Sequence, residues 1–335
     1  MRLFVTGGAG FIGSNFVRYW MKNHPADLIV NFDALTYAGN LENLKSVEKK
    51  PNYKFIKGDI GDKAAVEKAM SGSDTVVHFA AETHVDRSIM DSQIFLKTNV
   101  LGSQILFEAA LKNKIKKFIH ISTDEVFGSL EHTKGTKFTE LTSYAPRNPY
   151  SASKAAADFM AHAYHNTFGL PVIIMHSGNN YGPYQFPEKF IPLTIVNAIE
   201  GRKVPIYGDG LQIRSWVHVD DFVRAIDTAI QVGKNGEHYC VGGEEKANIE
   251  VAKTLLGILG KNENELEFIK DRLGHDRKYA LDSSKIKLLG WEPKFAFEEG
   301  LKHKVGWYLE NKEWWRRVLN GEYRNYYQKQ YNQSI

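Results

Sequence analysis

The stretch Thr123-Asp124-Glu125 places one hydroxyl and two carboxylic acids side by side, directly after the apolar run at 118–121. Such a run predicts a short buried strand, and open parallel sheets build their sites at the C-terminal ends of strands. There the hydroxyl can hold a substrate oxygen, while one acid gives a proton and the other takes one. Because the same residue types also end ordinary strands, the interpretation depends on the surrounding elements.

Tyr150 and Lys154 form a second reactive pair, at the start of an alanine-rich helix that follows Asn148-Pro149. Residues four apart share one helix face. A tyrosine with a pKa near 10 is a poor base, but a neighbouring ammonium and a nicotinamide cation would both lower that pKa. A lone pair of this kind is usually packing beside a solvated lysine. With Thr123 upstream and a dinucleotide fold, we favour a catalytic role.

The start of the chain predicts that dinucleotide fold. A short apolar strand leads into Gly7, Gly10 and Gly13, and a helical pattern follows. This spacing lets the backbone approach a pyrophosphate at a helix N-terminus. A second apolar strand, at 28–32, ends at Asp33, whose carboxylate would accept both ribose hydroxyls and repel a 2′-phosphate. The pattern therefore favours NAD over NADP.

Strand and helix signals then alternate, which predicts an α/β fold with a Rossmann-like, doubly wound parallel sheet. Asp59 and Ile60, after the third strand, are candidates for the border of an adenine ring, although Asp59 also suits a plain turn. The predicted strands cover 2–6, 28–32, 53–57, 74–78, 118–121 and 172–176, and the predicted helices cover 63–70, 89–111, the segment after Tyr150, and 189–199.

Composition excludes several classes of protein. The 335 residues are 43% hydrophobic and 24% charged, and the formal net charge of +4 is spread without long basic runs. Binding to nucleic acid or to a membrane is therefore not implied. The single cysteine, Cys240, excludes an internal disulfide and a metal site of several thiolates, and we predict no metal. No signal peptide or membrane span is recognised, so we expect a cytoplasmic protein.

These features resemble the extended short-chain dehydrogenase/reductases, because the glycine turn, Asn99, Thr123, Tyr150 and Lys154 stand in that family's order. Three further segments, at 81–88, 123–128 and 179–189, look like the dTDP-glucose 4,6-dehydratases. The resemblance runs from Arg2 to about Trp315. It implies an NAD-binding Rossmann domain at 1–170, to whose sheet a strand at 171–176 returns. It also implies a smaller α/β domain at 177–320 that binds the nucleotide-sugar, and a tail at 321–335.

The resemblance implies a three-step reaction on one nucleotide-sugar. Tyr150 takes the proton of the 4-hydroxyl while hydride passes from carbon 4 to NAD, and Thr123 holds that oxygen. Glu125 then removes the hydrogen on carbon 5 while Asp124 protonates the departing 6-hydroxyl, so that water leaves. Hydride finally returns to carbon 6. Two adjacent acids in opposite protonation states suit this elimination.

Further binding residues follow from the same resemblance. The cofactor is expected to contact Gly7, Gly10, Phe11, Ile12, Gly13, Asp33, Ala34, Leu35, Thr36, Asp59, Ile60, Phe79, Ala80, Ala81, Thr83, Thr98, Tyr150, Lys154 and Asn180. The substrate is expected to contact Thr83, His84, Arg87, Thr123, Asn179, Lys189, Phe190, Pro205, Ile206, Tyr207, Arg214, Asn248, Asp271, Arg272 and His275. Arg214 is suited to a phosphate, and Tyr207, in a turn at 205–210, to a pyrimidine wall.

The chain departs from the dehydratase pattern at a few positions, among them His176-Ser177-Gly178, where an Arg-Cys-Ser is common. UDP-glucose and UDP-N-acetylglucosamine therefore stay open as substrates beside dTDP-glucose. A nucleotide-sugar epimerase or decarboxylase would share Thr123, Tyr150 and Lys154 but would not use the acid pair. A non-catalytic NAD-binding scaffold would need none of them. In the family, the helices at 89–111 and after Tyr150 pair across a dimer, so we expect a homodimer.

Overall fold

A computed structural model describes residues 1–130 and 135–319 of the chain. Seven strands form one parallel sheet, and they are β1 Arg2–Thr6, β2 Leu28–Asp33, β3 Tyr53–Lys57, β4 Thr75–His78, β5 Lys117–Thr123, β6 Val172–Ser177 and β10 His238–Val241. Five more strands lie in smaller sheets, and they are β7 Asn179–Tyr181, β8 Val204–Tyr207, β9 Ile213–His218, β11 Glu244–Ala247 and β12 Leu266–Ile269.

Twelve α-helices lie in the described ranges: α1 Phe11–Asn23, α2 Lys63–Met70, α3 Val85–Met90, α4 Gln93–Phe95, α5 Ser103–Lys112, α6 Pro149–Phe168, α7 Phe190–Ile199, α8 Val219–Val232, α9 Asn248–Ile258, α10 Ser284–Lys287, α11 Phe297–Glu310 and α12 Lys312–Leu319. A π-helical stretch, Leu96–Gly102, joins α4 to α5. A short 3₁₀ helix, Asp124–Phe127, follows β5.

The order of the main sheet is β10-β6-β5-β4-β1-β2-β3, so the chain winds outward from β1 in both directions. Alternate residues of the strands enter two separate cores: Leu3 and Val5 pack on one face, and Phe4 packs on the other. This two-sided burial explains why the strands read as continuous apolar runs. The predicted doubly wound parallel sheet is confirmed, and all its strands end at one edge, where the site residues lie.

The C-terminal half builds the smaller sheets. One has the order β11-β9-β7 and the other pairs β12 with β8. Helices α7, α9, α11 and α12 pack around a third core that contains Trp216, Tyr308, Trp314 and Trp315. Strand β10 joins the main sheet from within this half. The division into domains at 1–170 and 177–320 stays a prediction, and residues 321–335 lie outside the described part of the chain.

Two local predictions are wrong. The single helix at 89–111 is broken at Asp91, whose carboxylate accepts a hydrogen bond from the Gln93 backbone N–H and so starts a new helix. The turn at 205–210 begins as strand β8, because its parallel neighbour β12 supplies a pairing partner that local sequence does not reveal. Among the described residues, no helix combines the length and the apolar character that crossing a membrane requires.

Candidate active site

The glycine turn between β1 and α1 leaves no room for side chains. Gly7 has φ +70°, and a Cβ added there would lie 2.5 Å from the Ala80 backbone nitrogen. A Cβ added to Gly13 would lie 2.3 Å from the Gly7 carbonyl oxygen. Gly10 precedes the first residue of α1 and provides no side-chain cap. The free backbone N–H groups at this helix start form a cradle that fits a pyrophosphate.

Asp33, at the end of β2, lies beside this turn and is almost fully buried. Its carboxylate accepts hydrogen bonds from the backbone N–H groups of Ala9 and Leu35, each at 2.8 Å. Burial raises the pKa of Asp33, and the two hydrogen bonds oppose that rise. The side chain is therefore held in one orientation at the strand end, where we expect it to accept ribose hydroxyls.

The other predicted cofactor residues follow neighbouring strands. They are Ala34, Leu35 and Thr36 after β2, Asp59 and Ile60 after β3, and Phe79, Ala80, Ala81 and Thr83 after β4. Phe11 and Ile12 open α1, Thr98 lies in the π-helical stretch, and Asn180 lies in β7. Because the strands are parallel, the positions that follow β2, β3 and β4 share the edge of the sheet at which the glycine turn lies, whereas Thr98 and Asn180 come from outside the main sheet.

The turn after β5 holds the two acids. The Thr123 Oγ1 hydroxyl accepts a hydrogen bond from the Glu125 backbone N–H at 3.3 Å, which caps the 3₁₀ helix. The same hydroxyl donates to Asp124 Oδ1, also at 3.3 Å. Asp124 is only 2% exposed, and its Oδ2 has no hydrogen-bond partner among the described residues. One carboxyl oxygen of Asp124 is thus left for a ligand.

Burial sets the protonation of both acids. It raises the pKa of Asp124 to about 8, with the charge of Glu125 as the second cause. Burial also raises the pKa of Glu125, but Asn148 and Arg214 oppose this rise. The Asn148 amide donates to Glu125 Oε2 at 3.3 Å. At neutral pH Asp124 is therefore protonated and able to donate, whereas Asn148 and Arg214 favour the carboxylate form of Glu125.

Helix α6 carries Tyr150 and Lys154 towards this turn. It begins at Pro149, and the Asn148 side chain accepts a hydrogen bond from the Ser151 backbone N–H at 2.8 Å. Both side chains are buried. Lys154 Nζ donates to the Ile121 carbonyl oxygen at 2.7 Å, so the ammonium is fixed against the end of β5.

The protonation of this pair differs from our expectation. Burial raises the pKa of Tyr150, and the charge of Glu125 adds to that rise, while a hydrogen bond with Thr123 lowers the pKa. We expected Lys154 and a nicotinamide cation to lower it. Burial lowers the pKa of Lys154 to about 8, and Asp158 opposes this change. Desolvation and the neighbouring acids therefore favour the protonated phenol.

Asn99 lies in the π-helical stretch. Its side-chain oxygen accepts from the Glu82 backbone N–H at 2.9 Å, and its Nδ2 donates to the Glu82 carbonyl oxygen at 3.0 Å. Nδ2 also donates to the Ser153 hydroxyl at 2.9 Å. One amide thus joins the loop after β4 to helix α6. Wide helical turns of this kind often occur at functional sites.

The predicted substrate residues near α3 form a charged cluster. Lys189 Nζ donates to the Thr83 carbonyl oxygen at 3.1 Å. The carboxylate of Glu188 lies 3.3 Å from Arg87 Nη2 and 3.8 Å from His84 Nε2. Glu188, which sequence reasoning did not single out, anchors the cluster. Its place beside Lys189 in the segment 179–189 was the available signal.

The guanidinium of Arg214 contacts two backbone carbonyl oxygens and one aromatic ring. It donates to the Ile213 carbonyl oxygen at 2.9 Å and to the Asp276 carbonyl oxygen at 3.0 Å, and it lies 4.4 Å from the centre of the Tyr279 ring. Its charge lowers the pKa of both acids in the Thr123 turn. These contacts pre-position a cation beside the acid pair.

Three of the remaining substrate candidates line a cavity of about 240 Å³. Its lining includes Tyr207, Asp271 and Arg272, and Arg272 forms an ion pair with Asp86 at 2.6 Å. His275 Nδ1 lies 2.6 Å from Asp271 Oδ1. The other candidates are placed as follows: Pro205 and Ile206 in β8, with Ile206 in the core, Asn248 at the start of α9, Asn179 in β7 and Phe190 at the start of α7.

A larger cavity, of about 680 Å³, has a lining that includes Trp216, His218 and Phe295 but none of the predicted site residues. We place the active site at the strand ends, because the acids, the tyrosine and the glycine cradle converge there, whereas this cavity brings together no comparable set. Within residues 1–130 and 135–319, no three histidine, cysteine or acidic side chains are grouped so that they could hold a metal ion.

Known proteins with similar sequences are nucleotide-sugar dehydratases. Residues 4–304 match the family model described as GDP-mannose 4,6 dehydratase. A dTDP-glucose 4,6-dehydratase of Neisseria meningitidis serogroup B is 48% identical, over 96% of this chain and 97% of its own.

Solved structures agree. DesIV, a dTDP-glucose 4,6-dehydratase of Streptomyces venezuelae crystallised with NAD bound, is 46% identical with a TM-score of 0.92, over 95% of this chain and all of its own. A UDP-glucose 4-epimerase of Thermus thermophilus in complex with NAD is only 30% identical, with a TM-score of 0.86, over 93% of this chain and all of its own. The chain belongs to the dTDP-glucose 4,6-dehydratase family.

Proposed function

We propose that this protein is an NAD-dependent lyase that converts dTDP-glucose to dTDP-4-keto-6-deoxyglucose and water. The observation that carries the proposal is the acid pair beside Thr123 and Tyr150. Asp124 is buried and protonated at neutral pH, and Glu125 is half-buried. An epimerase has no use for such a pair. Relatives that are 48% and 46% identical are named for the same activity.

The cofactor site fits NAD. The glycine turn would hold the pyrophosphate, and Asp33 would accept the ribose hydroxyls and disfavour a 2′-phosphate. When bound, NAD accepts a hydride from carbon 4 of the sugar and returns it to carbon 6. Calorimetry with NAD⁺ and NADP⁺ tests the role of Asp33, and equal affinity would contradict it.

The protein's side chains move the protons. Tyr150, as the phenolate that the positive charge of bound NAD⁺ would favour, takes the proton of the 4-hydroxyl, and Thr123 donates a hydrogen bond to the same oxygen. Glu125 then takes the hydrogen of carbon 5 as a proton. Asp124 gives its proton to the 6-oxygen, the bond from carbon 6 to that oxygen breaks, and water leaves. When hydride returns to carbon 6, Glu125 gives its proton back to carbon 5. Of the two acids only Asp124 then ends one proton short, and Tyr150 holds the matching proton from the 4-hydroxyl.

The second half of the chain, 177–320, binds the nucleotide part in this proposal. The cavity lined by Tyr207, Asp271 and Arg272 combines an aromatic wall with a cation. Arg214 lies close enough to the acid pair to lower the pKa of both members, so a diphosphate bound there would place the sugar beside them.

The deciding experiment is analysis of the product by mass spectrometry. The dehydratase releases a product lighter by one water, an epimerase leaves the mass unchanged, and a scaffold gives no product. A comparison of kcat/KM for dTDP-glucose, UDP-glucose and UDP-N-acetylglucosamine then tests the substrate. A clear preference for either uridine sugar would overturn the substrate while leaving the dehydration intact.

A homodimer is part of the proposal. Large apolar side chains are exposed on the helical segment that includes α4 and α5 and on α6, among them Ile94 and Leu101 and, on α6, Phe159 and Phe168. A second copy of the chain would cover them. Light scattering at micromolar concentration should give twice the 38.0 kDa of one chain, and the mass of a monomer would refute it. The cytoplasmic location stays a prediction, which cell fractionation tests.

A further inference from the structure

A second buried carboxylate lies behind the active site, at Asp158 on helix α6. It is four residues beyond Lys154, so the two side chains share one face of the helix. Its side chain is 0% exposed. The reaction proposed above gives this residue no proton to carry. A fully buried charge of this kind needs partners and a reason to be retained.

The partners come from two strands of the main sheet. The Ser122 hydroxyl of β5 donates to Asp158 Oδ2 at 2.7 Å. His176 Nε2 of β6 lies 3.1 Å from the same oxygen, and Tyr144 contacts that nitrogen through its hydroxyl at 2.9 Å. His120 Nε2 of β5 lies 3.1 Å from Asp158 Oδ1. Asp158 thus joins the catalytic helix to two central strands of the sheet.

Lys154 is held by the same part of β5. Its Nζ donates to the carbonyl oxygen of Ile121, the residue directly before Ser122. Adjacent residues of one strand therefore receive Lys154 and Asp158 from successive turns of α6. The ammonium is buried, and the carboxylate is the negative charge that favours it. A buried lysine without such a partner loses its proton easily.

We propose that Asp158 is a positioning residue: its buried carboxylate keeps Lys154 in the ammonium form and ties the end of β5 to the catalytic helix. This inference rests on the proposed function only for the use made of Lys154, not for the placement of the two side chains on α6. The titratable groups around Asp158 are Lys154, Tyr150 and His162 on α6, His120 on β5, His176 on β6, His238 on β10 and Tyr144.

The surrounding groups support a permanent charge on Asp158. Burial acts to raise its pKa, but contacts with His120 and His176 lower the pKa below its usual range. Burial lowers the pKa of His120 to about 4. The imidazole of His120 is therefore neutral across the working pH range, and Asp158 keeps its negative charge for Lys154.

The test compares Asp158→Asn, which removes the charge at almost constant volume, with Ser122→Ala, which removes one donor and keeps the charge. The first readout needs no substrate. In protein labelled with [ε-¹³C]lysine, the Lys154 resonance, assigned with Lys154→Gln, is followed during a pH titration. Asp158→Asn should lower the titration midpoint of Lys154 by about one pH unit or more, and Ser122→Ala should leave it within a few tenths of a unit.

The second readout is the first hydride transfer, followed as NADH absorbance in a single turnover with the sugar nucleotide that the wild type accepts. Its loss at alkaline pH should begin about one unit lower in Asp158→Asn. This step is shared by dehydratases and epimerases, so failure of the dehydratase assignment does not remove the readout.

Equal titration midpoints in the wild type and Asp158→Asn would overturn the proposal and leave Asp158 a purely structural residue. An equal downward shift in Ser122→Ala would do the same, because it would show that packing and not charge controls Lys154. Should Asp158→Asn fail to fold, Asp158→Ser removes the same charge without adding an amide donor and carries the same expectation.

Discussion

The turn at Asp124 and the cluster around Asp158 both bury an aspartate, yet the two carboxyl groups reach opposite protonation states. Each has one carboxyl oxygen without a hydrogen-bond partner among the described residues, Oδ2 of Asp124 and Oδ1 of Asp158, but Asp124 has an acid, Glu125, as its neighbour. Asp158 is in contact with Ser122, His120 and His176. Burial acts in the same direction at both sites. The donors around each group, rather than its depth, decide whether it serves as an acid or as a fixed charge.

The strongest test of the contrast between Asp124 and Asp158 removes the acid pair. In Asp124→Asn combined with Glu125→Gln, water loss should slow by about 10²–10⁴-fold, because neither proton transfer of the elimination has its carrier. The first hydride transfer needs neither acid and should persist as NADH absorbance in a single turnover. Product mass spectrometry gives the rate of water loss. Dehydration at the wild-type rate would show that the acids are misassigned.

The pH dependence of water loss tests directly whether Asp124, unlike Asp158, is protonated at neutral pH. Asp124 donates only while protonated, and its pKa is raised to about 8 by burial. Water loss should therefore be constant below that pH and fall by about tenfold per unit above it. The rate of dehydrated product formation between pH 6 and pH 10 measures this decline. A decline centred near the ordinary aspartate pKa would contradict a protonated Asp124.

Stability should change in opposite directions at the two sites. The raised pKa of Asp124 means that the folded protein binds a proton that the unfolded chain releases above about pH 4, so this group disfavours folding at neutral pH. Asp124→Asn should thus be stabilised, by about 1 kcal/mol. The lowered pKa of Asp158 favours folding above its unfolded value and loses that effect in acid. Asp158→Asn should be destabilised, by about 1.5–3 kcal/mol at pH 7.

Urea unfolding of the two single variants at pH 7 measures both changes, provided that the unfolding is reversible. Repeating the titration near pH 4 supplies the control, because the penalty on Asp124 should shrink there. Destabilisation of the same size in both variants would mean that only packing matters at these positions, and the contrast between the two carboxyl groups would be lost.

The smallest effect is expected at an exposed carboxylate. Asp74 forms an ion pair with Lys116 at 2.7 Å, and the hydrogen bond from Lys116 lowers its pKa. Lys116 is 78% exposed in its side chain. Lys116→Ala should change the free energy of unfolding by less than about 1 kcal/mol and leave water loss unaffected. A larger change would show that a short ion-pair distance matters more than burial.

Much of the site could be predicted from residue order. The glycines at 7, 10 and 13 predict a tight strand-to-helix turn, and the structure has one there. The strand end at Thr123 and the helix start that carries Tyr150 and Lys154 could also be predicted, because each is a local feature with a local signal. The cluster of Glu188 with Arg87 and His84 could not be predicted in this way, because it joins residues about one hundred positions apart.

The sequence by itself determined the doubly wound sheet, the glycine cradle and the chemical types gathered at the strand ends. These follow from hydrophobic periodicity and from backbone conformations that only certain residues adopt. The tertiary structure alone decided which of the carboxyl groups is an acid and which is a fixed charge. That choice depends on burial and on donors from distant strands, such as His120 and His176 around Asp158, and no local pattern of the chain encodes either.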